Sequence, residues 1–132
     1  MSQVGVKEKG WNKGKEVEAY LASVKLAPGN PWCAAFVVWC HKQCGIKIVE
    51  SGYSPSLFNK AHNVTTGKRG DVFGIYYPSK KRIAHVGFID AVQGKSYRTV
   101  EGNTGPNGGR EGDGVYVKYR LKSQVYRISR WT

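Results

Sequence analysis

The spacing of apolar residues changes character midway along the chain. In the first half, four apolar residues recur at intervals of three and four, which predicts a helix with one apolar face. These residues are Val17, Tyr20, Leu21 and Val24. The segment APGNP at 27–31 interrupts this pattern, because glycine and proline disfavour a continuing helix. A second helix is predicted to begin with Asn30 as its N-cap and Pro31 at its first position, and to end at Gly45.

The second half contains β-branched and aromatic runs separated by glycine-rich turns, a pattern typical of strands. These runs cover 71–77, 82–92, 96–103, 114–121 and 125–131. A short third helix is predicted before them, starting at Ser54 and Pro55. Helices followed by strands indicate an α+β fold with an antiparallel sheet. The glycine-rich loop at 102–114 is expected to line a binding site.

Composition narrows the class of protein. The chain has 132 residues and no visible repeat or linker, so residues 1–132 are expected to form one domain and to act as a monomer. A formal net charge of +12 predicts an anionic partner: nucleic acid, an acidic polymer or an anionic cell envelope. No secretory signal peptide and no membrane span are visible, so synthesis in the cytoplasm without a signal peptide is expected.

Cys33 is the candidate reactive residue among three cysteines. With Asn30 as the N-cap, Cys33 falls in the first helical turn, where unpaired N–H groups and the helix dipole favour a thiolate. The same amides are suited to binding an oxyanion. Cys40 and Cys44 lie deeper in the helix and are predicted to be core thiols. The spacing lacks a second ligand pair for zinc, so no metal is predicted.

His85 is the candidate partner of this cysteine, because it interrupts an otherwise apolar strand. Glu101 and Asn103 lie two apart on the next predicted strand and project to one face, so either is suited to orienting the imidazole. A two-residue turn at Gly94–Lys95 would put Glu101 and His85 on opposite faces. We therefore predict an odd-length loop or a bulge, which sets His85 opposite Asn103 with Glu101 on the diagonal.

Several segments in a fixed order resemble the CHAP domain family. They are NPWCAAFVVWC, RGDVFGIYY, AHVGFI and VEGNT with GREGDGVYVKYR, within residues 11–120. The family comprises cysteine, histidine-dependent amidohydrolases and peptidases of the papain-like, NlpC-type superfamily. The resemblance implies a papain-like α+β core, with the cysteine helix packed on an antiparallel sheet that carries the histidine.

The resemblance also implies roles for individual residues. Cys33 matches the nucleophile, His85 the general base, Glu101 the acid that orients the histidine, and Asn103 the polar residue beside it. The implied reaction is hydrolysis of an amide bond in peptidoglycan through a cysteine thioester. The enzyme would be an N-acetylmuramoyl-L-alanine amidase or an endopeptidase of the stem peptide or crossbridge. No cofactor is expected, and the lysine-rich stretch 6–16 lacks clustered aspartates of the kind with which some members bind calcium.

Two other functions remain open from the residues. Tyrosines interleaved with lysine and arginine at 115–131 are compatible with a basic nucleic-acid-binding domain, although peptidoglycan rather than nucleic acid is the expected partner. A protein deamidase or transglutaminase would use the same Cys-His-Glu set. The biological context is expected to be a phage lysis enzyme or an exported antibacterial effector, which acts on the cell wall after lysis or secretion. An effector would need an immunity protein as inhibitor.

Overall fold

Two helices precede the sheet. A computed structural model describes residues 3–10, 12–104 and 113–132. Helix α1 spans Lys15–Ala22 and helix α2 spans Cys33–Gln43. The four apolar residues predicted to form one face near α1 are all buried, which confirms the helical periodicity.

Helix α2 starts two residues later than predicted. Its N-cap is Trp32, which makes no side-chain capping hydrogen bond, so Cys33 is the first helical residue. The side chain of Asn30 instead donates a hydrogen bond to the carbonyl of Ala27, at 2.8 Å. Asparagine therefore stabilises the preceding turn here, a role it often plays in competition with capping.

Helix α2 ends in a Schellman motif. Gly45 has a φ of +71°, a conformation that glycine adopts without steric cost. Its N–H donates to the carbonyl of Lys42 at 3.0 Å, and the N–H of Ile46 donates to that of His41 at 2.9 Å. The predicted end of the helix at Gly45 is confirmed.

Six strands form one antiparallel sheet in the order β1-β6-β2-β3-β4-β5. The strands are β1 (Asn63–Val64), β2 (Val72–Tyr77), β3 (Arg82–Gln93), β4 (Ser96–Thr104), β5 (Gly114–Leu121) and β6 (Arg127–Ser129). The α+β class is confirmed, and each of the five predicted runs contains one strand. A two-residue strand such as β1 is too short to show alternation in the sequence. The predicted third helix is a 3₁₀ turn at Ser54–Leu57.

The hairpin between β3 and β4 combines a two-residue turn with a bulge. Gln93 pairs with Ser96 across the turn, and the register shifts between Ile89 and Ala91. One extra residue on β3 changes which side chains share a face beyond that point. The predicted bulge is confirmed, and the three-residue loop that we considered as an alternative is absent from this described hairpin.

The core lies between the helices and one face of the sheet. Buried apolar residues of α1, α2, β3 and β4 form a continuous cluster, which includes Tyr20, Phe36, Val86 and Val100. At Gly102 of β4, an added Cβ would lie 2.9 Å from the side chain of Phe36, so the strand runs directly against α2. Within the described residues, neither helix has the length and apolar character needed to cross a bilayer.

Candidate functional site

Cys33 occupies the N-terminal end of α2. Its thiol is buried, with 5% of the residue exposed, and it lines a cavity of about 190 Å³. The amides of residues 33–35 precede the first hydrogen bond of the helix, which Phe36 donates to the carbonyl of Trp32 at 2.9 Å. Unpaired amides and the positive end of the helix dipole both favour an anion at this position.

Ser54 lies next to the thiol. Its Oγ is 3.7 Å from the Sγ of Cys33, and both side chains are buried. Ser54 lies 21 residues after Cys33 in the sequence, and the 3₁₀ turn places it at the N-terminal end of α2. Sequence reasoning treated Ser54 only as a helix cap and missed this contact, because no local pattern connects the two segments.

His85 and Glu101 form a buried pair on adjacent strands. The Nε2 of His85 lies 2.7 Å from Oε1 of Glu101, and neither side chain is exposed to solvent. The other ring nitrogen, Nδ1, is also buried and has no hydrogen-bond partner of ordinary geometry among the described residues. Cys33 is the second group that interacts with this imidazole. The ring is therefore held by a carboxylate at one nitrogen and leaves the other available for the thiol.

The electrostatics of the three residues favour a charged pair. Burial alone would raise the pKa of the Cys33 thiol, but interaction with His85, then with Ser54 and the Val86 backbone, brings it below its usual value. Burial alone would lower the pKa of His85, but Cys33 and Glu101 raise it to about 9. A thiolate and an imidazolium that stabilise each other account for both shifts.

Arg120 and Thr99 neutralise and fix the Glu101 carboxylate. Arg120 donates from Nε to Oε2 at 2.9 Å and from Nη2 to Oε1 at 2.5 Å, and the Thr99 hydroxyl donates to Oε2 at 2.6 Å. Burial would raise the pKa of Glu101, but Arg120 and His85 lower it to about 2. Sequence reasoning missed Arg120, although a buried carboxylate needs a cation and the strand β5 was a place to look for one.

The bulge and Gly87 together bring Glu101 to His85. The pairing of β3 with β4 extends as far as Phe88 opposite Val100, and Gly87 and Glu101 are the next residues along the two strands. A Cβ at Gly87 would lie 2.7 Å from the Cγ of Glu101, so the carboxylate side chain passes directly over the glycine. The diagonal contact expected between His85 and Glu101 is present.

Asn103 is buried beside this pair but does not hydrogen-bond to the imidazole. Its backbone has a φ of +56°, a left-handed conformation that asparagine tolerates better than most residues. Its Oδ1 is buried and has no hydrogen-bond partner in the described part of the chain. Glu101 is thus the residue that holds His85, and the part assigned to Asn103 by resemblance remains a prediction.

Of the two cysteines predicted to be core thiols, Cys40 packs against the core and Cys44 does not. Cys40 is half-buried, whereas Cys44 is exposed at the end of α2. The prediction for Cys44 is wrong. Helix α2 ends one residue before Cys44, which leaves this residue exposed to solvent. All three cysteines are free thiols.

In the described part of the chain, no group of three or more His, Cys, Asp or Glu side chains is placed to bind a metal. Residues 105–112 of the predicted site-lining loop lie outside the described residues.

Comparison with known proteins agrees with this geometry. The family model of the CHAP domain matches residues 25–103, well over half of the chain. Comparisons with curated proteins and with solved structures found no match. The matched range includes Cys33, His85 and Glu101, and the family is one of cysteine- and histidine-dependent amidohydrolases and peptidases that usually act on peptidoglycan. The chain belongs to the CHAP domain family.

Proposed function

We propose that this protein is a peptidoglycan hydrolase that cuts an amide bond through a thioester on Cys33. The observation that supports this best is the convergence of Cys33, His85 and Glu101 from α2, β3 and β4 on one buried site beside a cavity. The opposite pKa shifts of the thiol and the imidazole are those of an activated nucleophile and its partner. Membership of the CHAP domain family supports peptidoglycan as the substrate.

In the proposed first step, the Sγ of Cys33 attacks the carbonyl carbon of the scissile amide. The carbonyl oxygen becomes an oxyanion, which amides at the start of α2 are placed to stabilise. We assign the Ser54 hydroxyl as a further donor at this position, because it lies against the sulfur. The tetrahedral intermediate collapses, the carbon–nitrogen bond breaks, and the imidazolium of His85 gives its proton to the leaving amine.

In the second step, water hydrolyses the thioester. Neutral His85 accepts a proton from water as the oxygen attacks the thioester carbonyl, and the carbon–sulfur bond then breaks to release a carboxylic acid and the thiolate. Glu101 stays ionised throughout, because Arg120 holds its pKa far below neutrality. Its task is to fix the ring orientation and to stabilise the imidazolium.

The proposed substrate fits the charge of the protein. Stem-peptide carboxylates and wall polymers are anionic, and a net charge of +12 attracts them. We propose a role in bacterial lysis, either as phage cargo or as an exported antibacterial effector paired with an immunity protein. The bond cut is the junction between sugar and peptide, or one within the stem peptide or crossbridge.

The test is digestion of purified peptidoglycan followed by mass spectrometry of the fragments. We expect the wild-type protein to release fragments with one new amine and one new carboxylate, and Cys33→Ala to release none. Cys40→Ala is the matched control, because it removes a thiol from the same helix away from His85, and it should retain most activity. Equal digestion by Cys33→Ala and Cys40→Ala would contradict the assignment of the nucleophile.

A further inference from the structure

The cavity that contains the Cys33 thiol has an unusual electrostatic lining. Arg82 and Tyr53 also line it, and Arg82 is the one basic residue among the described residues of its wall. The cavity volume of about 190 Å³ is small, so a group that contacts Arg82 lies within a few atoms of the sulfur. A substrate bound in this cavity would therefore contact the Arg82 guanidinium close to its scissile bond.

Arg82 differs from most arginines of the described chain in having no carboxylate partner. Four others pair with acids: Arg69 and Arg98 with Asp90, Arg120 with Glu101, and Arg130 with Asp71. Arg82 instead donates from Nη1 to the carbonyl of Ile83 at 3.0 Å. The charge of its guanidinium is not neutralised by any described side chain.

Tyr53 holds this guanidinium in place. The Arg82 guanidinium carbon lies 5.0 Å from the centre of the Tyr53 ring, which is within the range of a cation–π contact. Apart from the donation of Nη1 to Ile83, the guanidinium makes no hydrogen bond among the described residues. Planar N–H donors on a restrained guanidinium match the two oxygens of a carboxylate.

We propose that Arg82 binds a free carboxylate of the substrate next to the scissile amide, and so makes the enzyme selective for wall peptides in which that carboxyl group is not amidated. This inference rests on the proposed peptidoglycan hydrolase function. It adds a specificity-determining residue outside the Cys33, His85 and Glu101 set. Arg82 acts on substrate binding and discrimination, whereas those three residues perform the chemistry.

The test uses pairs of soluble peptidoglycan fragments that differ only in whether one stem-peptide carboxyl group is free or a primary amide. For one such pair, we expect wild-type kcat/KM to be about tenfold higher for the free carboxylate, since a charge-assisted hydrogen bond contributes roughly this factor. Arg82→Gln should lower this preference to near unity, with the loss mainly in KM. Arg82→Lys should retain part of it, because the charge remains but the planar donor pair is lost.

Arg127→Gln is the matched control. Arg127 also lies over a tyrosine, Tyr126, at 4.2 Å, and has no carboxylate partner among the described residues. It is absent from the wall of the Cys33 cavity. The substitution removes the same charge, and the preference for the free carboxylate should be unchanged.

The comparison of paired substrates by the wild-type protein needs no variant, so it decides the inference even if Arg82→Gln folds poorly. Equal kcat/KM for both members of every pair would overturn the inference while leaving the hydrolase function intact. An unchanged preference in folded Arg82→Gln would overturn it as well. Failure of the wild-type protein to cleave any fragment would instead overturn the proposed function, and the inference with it.

Discussion

The thiol pKa values of two cysteines on the same helix are shifted in opposite directions. Cys40 is half-buried, and burial, with a smaller effect of Cys44, raises its thiol pKa to about 12. Cys33 is more deeply buried, yet its pKa lies below the usual value because His85 provides a positive charge and a hydrogen bond that outweigh the cost of burial. Acidity at residue 33 therefore comes from one neighbour and not from exposure.

The ionisation of Cys33 predicts how its reactivity depends on pH. In a Cys40→Ser, Cys44→Ser background, we expect the rate of alkylation by iodoacetamide to fall less from pH 8 to pH 7 than the rate for an ordinary thiol, because the pKa of Cys33 is lowered. The rate for an ordinary thiol with a pKa near 8.5 falls about tenfold for each pH unit below that value. Mass spectrometry of the modified protein over time measures the rate.

His85→Gln tests the cause of this behaviour, because glutamine cannot carry the positive charge. This variant should show the steep profile of an ordinary thiol, and a steep profile in the parent would contradict the ion pair. Hydrolysis should also decline as pH rises through about 9, since the raised pKa of His85 means that its proton is lost there.

Arg120 provides a second prediction at this scale. Arg120→Gln removes one of the two cations beside the buried Glu101 carboxylate and leaves only His85, so we expect the free energy of unfolding at pH 7 to fall by about 3 kcal/mol. Folding lowers the pKa of Glu101 from 4.5 to about 2, so the stabilisation is complete above about 4.5 and is lost as pH falls toward 2. Urea unfolding of both proteins at pH 7 and pH 3 measures the two effects.

Arg98→Gln is the control for this substitution. Arg98 pairs with Asp90, but its side chain is 39% exposed, so its removal should cost less than about 1 kcal/mol. The wild-type protein should lose more stability than Arg120→Gln between pH 7 and pH 3. Equal losses in the two arginine variants would show that Arg120 is not the counter-ion that the site depends on.

At the scale of elements, the hairpin of β3 and β4 positions Glu101 beside His85, because the β3 backbone at Gly87 lies close to the Glu101 side chain. Gly87→Ala adds a methyl group that would lie 2.7 Å from the Glu101 Cγ and 2.9 Å from the Phe73 ring, which is too close for either contact. We expect stability to fall by about 1–3 kcal/mol and kcat to fall at least tenfold, because the carboxylate is pushed away from His85. Denaturant unfolding and fragment release measure the two quantities.

Gly74→Ala is the matched control on β2. Its new methyl group would crowd the ring of Phe58 at 2.8 Å, a clash of similar severity away from Glu101. This variant should lose stability and keep its activity per folded molecule. If Gly87→Ala retained full kcat, the close approach would have no bearing on the site.

The elements that sequence reasoning placed correctly are those with a local signature. The apolar, β-branched run of β3 and the glycine at position 45 are both visible within a few residues. The bulge was predicted by parity, since only a register change sets Glu101 beside His85. Asn30 was misjudged because a cap and a turn use the same side chain, and the geometry of the chain decides between them. Ser54 and Arg120 depend on contacts between distant segments, which no local pattern records.

At the scale of the whole molecule, charge governs the encounter with substrate. The chain carries 21 lysines and arginines against nine acidic residues. Long-range attraction of this kind raises the rate of association with an anionic polymer, and salt screens it over a Debye length of about 10 Å at 0.1 M. For the proposed peptidoglycan substrate, the charge would act mainly on association with the wall and little on the chemical step.

We expect digestion of intact walls to slow by about tenfold between 20 mM and 500 mM sodium chloride, because electrostatic steering is lost. Turbidity loss of purified walls measures the rate. Cleavage of a short soluble fragment without net charge is the control, and its kcat/KM should change much less. A parallel decline on both substrates would place the salt effect within the active site.

The reacting groups are contributed by parts of the chain that meet only in three dimensions. Ser54 lies 21 positions beyond Cys33, and Glu101 lies 16 beyond His85. An unfolded polypeptide therefore carries an ordinary thiol, because neither the imidazole nor the helix that activates it is in place. If the protein is the exported hydrolase proposed above, it would be inactive during synthesis and during passage through a secretion channel as an unfolded chain, and it would become active only after refolding.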